Sequence, residues 1–171
     1  MRLPTIGVLL GVPQPYGRLL DDVRRSLGGR PAETPAHITL VAPTAVADSA
    51  RADVDAHLDS AAAATAPFEV RLRGTGTFRP VSPVVFIGVV AGISSCEVLA
   101  TRLRAGPLRN EPSFPYHPHV TIAHGARDEV LARAFEAYAD SDATWRVTGF
   151  TVYVGFGTAQ WRAVRDIPIG G

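Results

Sequence analysis

The chain has 171 residues and a mass of 18.2 kDa, long enough to bury a core without disulfide or metal staples. With 46% hydrophobic and 19% charged residues it is excluded from the disordered class. A net charge of +1 excludes a protein that grips a long nucleic-acid backbone by bulk charge, though not a site for one or two phosphates. All 17 basic residues are Arg, so a Schiff-base lysine and a P-loop lysine are excluded. This Arg-only, Ala-rich composition fits a GC-rich, bacterial genome. Cys96 stands alone, which excludes an internal disulfide and a cysteine metal cluster.

In chain order, the short apolar run Thr5–Gly11 reads as a buried strand rather than a signal peptide. Tyr16 to Leu27 has helical spacing, with Leu19, Leu20, Val23 and Leu27 on one side and Gly28-Gly29 as the stop. His37–Ala42 is a second strand between Pro35 and Pro43. Ser49 to Ala64 is a helix, capped by Asp48 or Ser49. Phe68, Val70 and Leu72 alternate with Glu69, Arg71 and Arg73, the pattern of a strand with one wet face. Gly74-Thr75-Gly76 lacks the helix and third glycine of a nucleotide loop and reads as a turn. Val84–Val90 is an apolar strand, and Ser94 or Ser95 caps a helix bearing Val98, Leu99 and Leu103. Four prolines between Arg104 and Pro118 mark a loop. His119–Ala123 is a strand, and Asp128 to Tyr138 is a helix with Val130, Leu131, Ala134, Phe135 and Tyr138 apolar. Trp145–Val154 and Gln160–Ile167 form a closing antiparallel pair around Gly155-Phe156-Gly157. No apolar run approaches the ~20 residues of a membrane span. A monomer in the cytoplasm with no membrane partner is expected.

The second half repeats the first approximately, and the best sign of it is local. His37-Ile38-Thr39-Leu40 matches His119-Val120-Thr121-Ile122, with the two histidines 82 positions apart. With 5 histidines in the chain, one His-x-Thr match means nothing, but two with the same aliphatic flanks in mid-strand do. Strand periodicity puts His37 and Thr39 on one face and Ile38 and Leu40 on the other, and does the same for His119 and Thr121 opposite Val120 and Ile122. A cleft lined by two such pairs suits in-line chemistry on a phosphodiester. One imidazole removes a proton from the attacking oxygen and the other protonates the leaving oxygen. The Thr hydroxyls hold the non-bridging oxygens. No metal or other cofactor is needed.

With these two motifs the chain resembles the two-histidine (2H) phosphoesterase superfamily, and within it the bacterial 2′-5′ RNA ligase-like, or RNA 2′,3′-cyclic phosphodiesterase, branch. The resemblance implies an α+β fold. Two pseudo-twofold lobes would place antiparallel sheets around a central cleft, with helices packed outside. The whole of 1–171 would be a single bilobal domain carrying one His-x-Thr motif per half. It further implies His37 as proton donor, His119 as proton acceptor, and Thr39 and Thr121 as phosphate ligands. The spacing itself gives the pair and not which is which. The implied substrate is a small nucleotide or RNA end with a 2′,3′-cyclic phosphate or 2′-5′ linkage, not duplex nucleic acid, with weak ligation as the reverse reaction. Relatives often place Arg where this chain has His124, which strand parity turns away from His119.

Two other functions stay open on sequence: a non-catalytic phosphate- or nucleotide-binding module, and a metal-dependent hydrolase using His117, His119 and His124. Arg would serve a binding module better than a second His. Parity separates His124 from the other two, and no Cys or acidic residue joins them locally. Phe78, Phe114 and Tyr116 are candidates for stacking on a base, and Arg79 for touching phosphate. His57 reads as a solvated helix residue.

Overall fold

In the computed structural model of the chain, residues 3–28, 34–155 and 160–170 are described. β1 (Thr5–Gly11), an inner strand of its sheet, is buried without a break from Ile6 to Leu10; α1 (Tyr16–Leu27) leads to β2 (His37–Ala45), whose first half alternates. A 3₁₀ turn over Asp48–Ala50 precedes α2 (Arg51–Ala63), which buries Val54, Leu58, Ala61 and Ala62. Then follow β3 (Phe68–Thr77), β4 (Val84–Ala91), α3 (Ile93–Leu103) and β5 (His119–His124). The chain continues through α4 (Asp128–Ala137), β6 (Asp142–Val147), β7 (Gly149–Gly155) and β8 (Trp161–Pro168).

The strands form two four-stranded antiparallel sheets, ordered β2-β1-β7-β8 and β5-β4-β3-β6. Each motif strand is therefore the edge of its sheet, and β2 and β5 pack against each other. The helices cross between sheets in a matched way, α1 lying against β5 and α3 against β2. The second sheet is the consecutive run β3–β6, whereas the first closes on strands from both ends of the chain, β7 pairing with β1 and β8 with β7. One continuous hydrophobic cluster runs through both sheets, from Ile6 and Leu40 to Ile87 and Ile122. Among the described residues no helix is long and apolar enough to cross a membrane.

Several expectations are corrected. The run Trp145–Val154 is not one strand: it breaks at Thr148, so that β6 pairs with β3 and β7 with β1 and β8. A continuous apolar pattern cannot show that a strand has changed sheets. Gly74-Thr75-Gly76 lies inside β3, where the register with β4 shifts between Leu72 and Thr75. Gly74 takes φ 72° there, as a bulge favours. Neither serine caps α3, whose N-cap is Gly92 with no side-chain cap bond, and α2 has no capping side chain either. Leu19 and Val98 are exposed rather than core-facing. His57 is half-buried, with Nε2 3.2 Å from the Leu103 carbonyl oxygen. Of the Gly155-Phe156-Gly157 turn, residues 156 and 157 lie outside the described residues.

Because one apolar cluster is shared by both sheets, neither can dissolve without exposing the core face of the other. One calorimetric transition is expected, with equal van't Hoff and calorimetric enthalpies; two resolved transitions would contradict the shared core. Gly92 has φ 85°, and a Cβ there would lie 2.3 Å from the Glu69 carbonyl oxygen. Gly92→Ala should lower Tm by at least about 2–4 °C, the shift that ~1 kcal/mol gives in a chain of this size.

Candidate active site

The site starts from the pleat of the two facing edge strands. In β2, Ile38 and Leu40 are buried while His37 and Thr39 are half-buried. In β5, Val120 and Ile122 are buried while His119 and Thr121 are half-buried. Both strands also carry a bulge at the same place. Leu40 is skipped in the β1–β2 register, and Ile122 in the β4–β5 register. These two residues stand 82 positions apart, as the histidines do, so the two motif strands match in backbone irregularity as well as in sequence.

The bulge overturns the parity argument for His124. An extra residue at Ile122 resets the alternation, and His124 comes back to the same side as Thr121. Both line a cleft of about 740 Å³ together with His37, Thr39, Arg24, Tyr153 and Trp161. A second cavity of about 410 Å³ is lined by His119, His117, Phe78, Phe114, Tyr116 and again Thr39. Thr39 is thus the common wall, with His37 and Thr121 on one side and His119 on the other. Arg79 borders neither; its Nε donates to Thr77 Oγ1 at 3.3 Å.

The two imidazoles are fixed alike. His37 Nδ1 lies 2.7 Å from the Pro35 carbonyl oxygen, and His119 Nδ1 lies 2.6 Å from that of His117. A carbonyl only accepts, so in both rings Nδ1 carries the proton and donates. Nε2 is left with a lone pair in the neutral ring and a transferable proton in the charged one. Thr34 Oγ1 stands 3.2 Å from the same His37 nitrogen.

Their surroundings differ. Arg24 on α1 donates from Nη1 to Asp21 Oδ1 at 2.9 Å and to the Thr34 carbonyl oxygen at 2.8 Å. Asp21 Oδ1 in turn accepts the Ala36 N–H at 2.7 Å, tying α1 to the start of β2. His119 instead sits among rings, 5.0 Å from Phe78 edge-on and 5.1 Å from Phe86 between centroids. Phe78 and Phe86 lie 4.6 Å apart, and His117 is 5.8 Å from His119. Tyr116, its phenol held protonated by burial, donates to the Thr39 carbonyl oxygen at 2.9 Å and so clamps the loop before β5 to β2.

Burial lowers the pKa of both histidines from the ordinary imidazole value. For His37 the Pro35 carbonyl opposes this, the Arg24 and His119 charges lower the value further, and Asp21 raises it. For His119 the His117 carbonyl opposes burial and the His117 ring adds to it. Both rings therefore favour the neutral form in the empty site. Among the described residues no three His, Cys, Asp or Glu side chains gather as a metal site requires.

Sequence reasoning misses Arg24, Tyr153 and Trp161. Arg24 has a readable signal, since a cation four residues after Leu20 and three before Leu27 falls on the apolar stripe of α1.

Comparison with known proteins agrees with this architecture. Residues 12–157 match the model of the 2′-5′ RNA ligase superfamily. A Bacillus pumilus protein, provisionally named a phosphoesterase, is 28% identical over 123 residues, covering 72% of this chain and 71% of the relative. The crystal structure of E. coli LigT complexed with 3′-AMP superposes with a TM-score of 0.74 at 20% identity, over 98% of this chain and 99% of that one. TT0787 of Thermus thermophilus superposes with a TM-score of 0.70 at 21% identity, over 98% of each chain. Those structures speak for the fold; the sequence match over most of the length speaks for descent. The chain belongs to the 2′-5′ RNA ligase superfamily.

Proposed function

We propose that this chain is a metal-independent phosphodiesterase that opens 2′,3′-cyclic phosphates or cleaves 2′-5′ linked nucleotides and RNA ends. His37 and His119 are its acid–base pair, and Thr39 and Thr121 its phosphate ligands. Superfamily membership supports phosphoesterase chemistry in general. The observation that carries the finer reading is the matched pair of imidazoles on facing edge strands, each with Nδ1 committed to a backbone carbonyl.

The steps follow from that fixing. Neutral His119 takes a proton from water at Nε2 while the water oxygen bonds to phosphorus. The bond from phosphorus to the ribose oxygen breaks, and that oxygen takes the Nε2 proton of charged His37. One proton arrives and one leaves, and exchange with solvent resets the pair. The Thr39 and Thr121 hydroxyls donate to the non-bridging oxygens as charge builds there. Depressed pKa values suit His119 as a base. An arriving phosphate anion favours the charged form of His37 and so restores its acidity. Run backwards with a nucleotide hydroxyl in place of water, the same transfers give weak ligation. Rings that are neutral when empty hold an anion poorly compared with Arg, which argues against a mere binding module.

His37→Ala or His119→Ala should each cut turnover of a 2′,3′-cyclic nucleotide by about 10²-fold or more. Thr39→Val and Thr121→Val should cost less, each losing one neutral hydrogen bond. Turnover should survive EDTA, and kcat/KM should be bell-shaped in pH. Tight binding without turnover, or activity lost in chelator and restored by one divalent ion, would overturn the reading.

The same pKa values govern stability. Below about pH 6.5 the unfolded histidines bind protons that the folded ones resist. Tm should therefore fall as pH drops through that window, and His37→Asn with His119→Asn should flatten the decline. NMR titration should place both imidazole midpoints below about 6.5, the ordinary value, in the empty enzyme.

A further inference from the structure

We infer that Trp161 is the floor on which the planar base of the substrate stacks, on the His37 side of the cleft. This rests on the reading of the cleft as a nucleotide phosphodiesterase site and adds the residue that makes it prefer nucleosides. Trp161 opens β8, the strand farthest from His37 in its sheet. Its indole nevertheless reaches back across two strands. A Cβ on Gly155 of β7 would lie 3.1 Å from the ring, and one on Gly7 of β1 would lie 3.6 Å from it. The same Gly7 position is 3.7 Å from the Val41 carbonyl oxygen of β2, the motif strand itself. Glycine inside a strand weakens it and marks a close approach. Here two glycines on neighbouring strands let one large ring lie low over the sheet backbone.

That arrangement differs from ordinary burial. A tryptophan serving only the core would sit among aliphatic side chains, whereas Trp161 is half-buried and lines the 740 Å³ cleft beside His37, Thr39 and Tyr153. On the other side Phe114 is exposed, and Tyr116 is tied to the Thr39 carbonyl oxygen and lies under the Arg104 guanidinium. Phe78, Phe86, His117 and His119 meet edge-on or tilted at 4.6–5.8 Å between centroids and make a cage for His119. The indole, by contrast, has backbone beneath it and open volume beside it. A face of that kind accepts any nucleobase, because stacking needs only a π-system. Arg24 stands on the wall of the same cleft, so a phosphate at His37, Thr39 and Thr121 and a base on Trp161 fall within one cavity.

The test uses adenosine 3′-monophosphate and inorganic phosphate as probes. The chain has 2 tryptophans, and the other, Trp145, lies on β6 in the second sheet. In a Trp145→Phe protein the nucleotide should quench the remaining indole emission and phosphate alone should not. Trp161→Ala should weaken adenosine 3′-monophosphate by about 5- to 150-fold while leaving phosphate affinity within about twofold. Trp161→Phe should restore most of the loss. Gly155→Ala, which lifts the ring without removing it, should lower nucleotide affinity in the same direction. A merely structural tryptophan would change Tm and both affinities together. Unchanged nucleotide-to-phosphate selectivity in Trp161→Ala would overturn the inference while turnover stood. Quenching with no turnover of any phosphodiester would instead overturn the proposed activity and leave the stacking floor standing.

Discussion

Everything at the site depends on two edge strands whose inner faces cannot move. Ile38 and Leu40 on one, and Val120 and Ile122 on the other, are fully buried in a single cluster. Burying such side chains stabilises by roughly 1.5–3 kcal/mol each, so sliding either strand by one residue would throw two of them into the cleft. The polar residues between them inherit that rigidity. His37, Thr39, His119 and Thr121 are held in place by what lies beneath them, and each ring is then fixed by its Nδ1 bond to a carbonyl two residues back.

The frame is symmetric, but the chemistry that surrounds it is not. Both strands share the motif, the bulge and the ring anchor, and each is crossed by the other lobe's helix. On the His37 side the walls are Arg24, Tyr153 and Trp161; on the His119 side they are phenyl rings and a second imidazole. A reaction with two unlike proton transfers needs this combination. The matched strands supply two equivalently anchored imidazoles, and the unlike walls make them unequal.

Much of this is legible in the sequence, for reasons tied to particular residues. The helices and most strands follow from period and from Pro and Gly punctuation, and the His/Thr pairs from period-two spacing in short apolar strands. The family resemblance implies two lobes around a cleft, which the two sheets bear out. What fails to show depends on long-range pairing. The switch of sheets at Thr148 leaves no mark because β6 and β7 are both half apolar. Simple parity puts His124 on the wrong face because the bulge at Ile122 is visible only against β4. Gly7 and Gly155 are far apart in the chain, and nothing local says that Trp161 lies over both. Arg24 is readable as a cation on an apolar helix stripe, yet its tie to Thr34 and Asp21 needs the fold.

The central claim is that His37 and His119 act as one acid–base unit across the strand interface, and a double-mutant cycle on kcat/KM tests it most directly. The variants are His37→Ala, His119→Ala and the two combined, assayed on one 2′,3′-cyclic nucleotide. Residues that serve a single transition state are not additive. The account predicts that the double variant loses little more than the worse single one. Losses that multiply in full would show two independent contributions and contradict it.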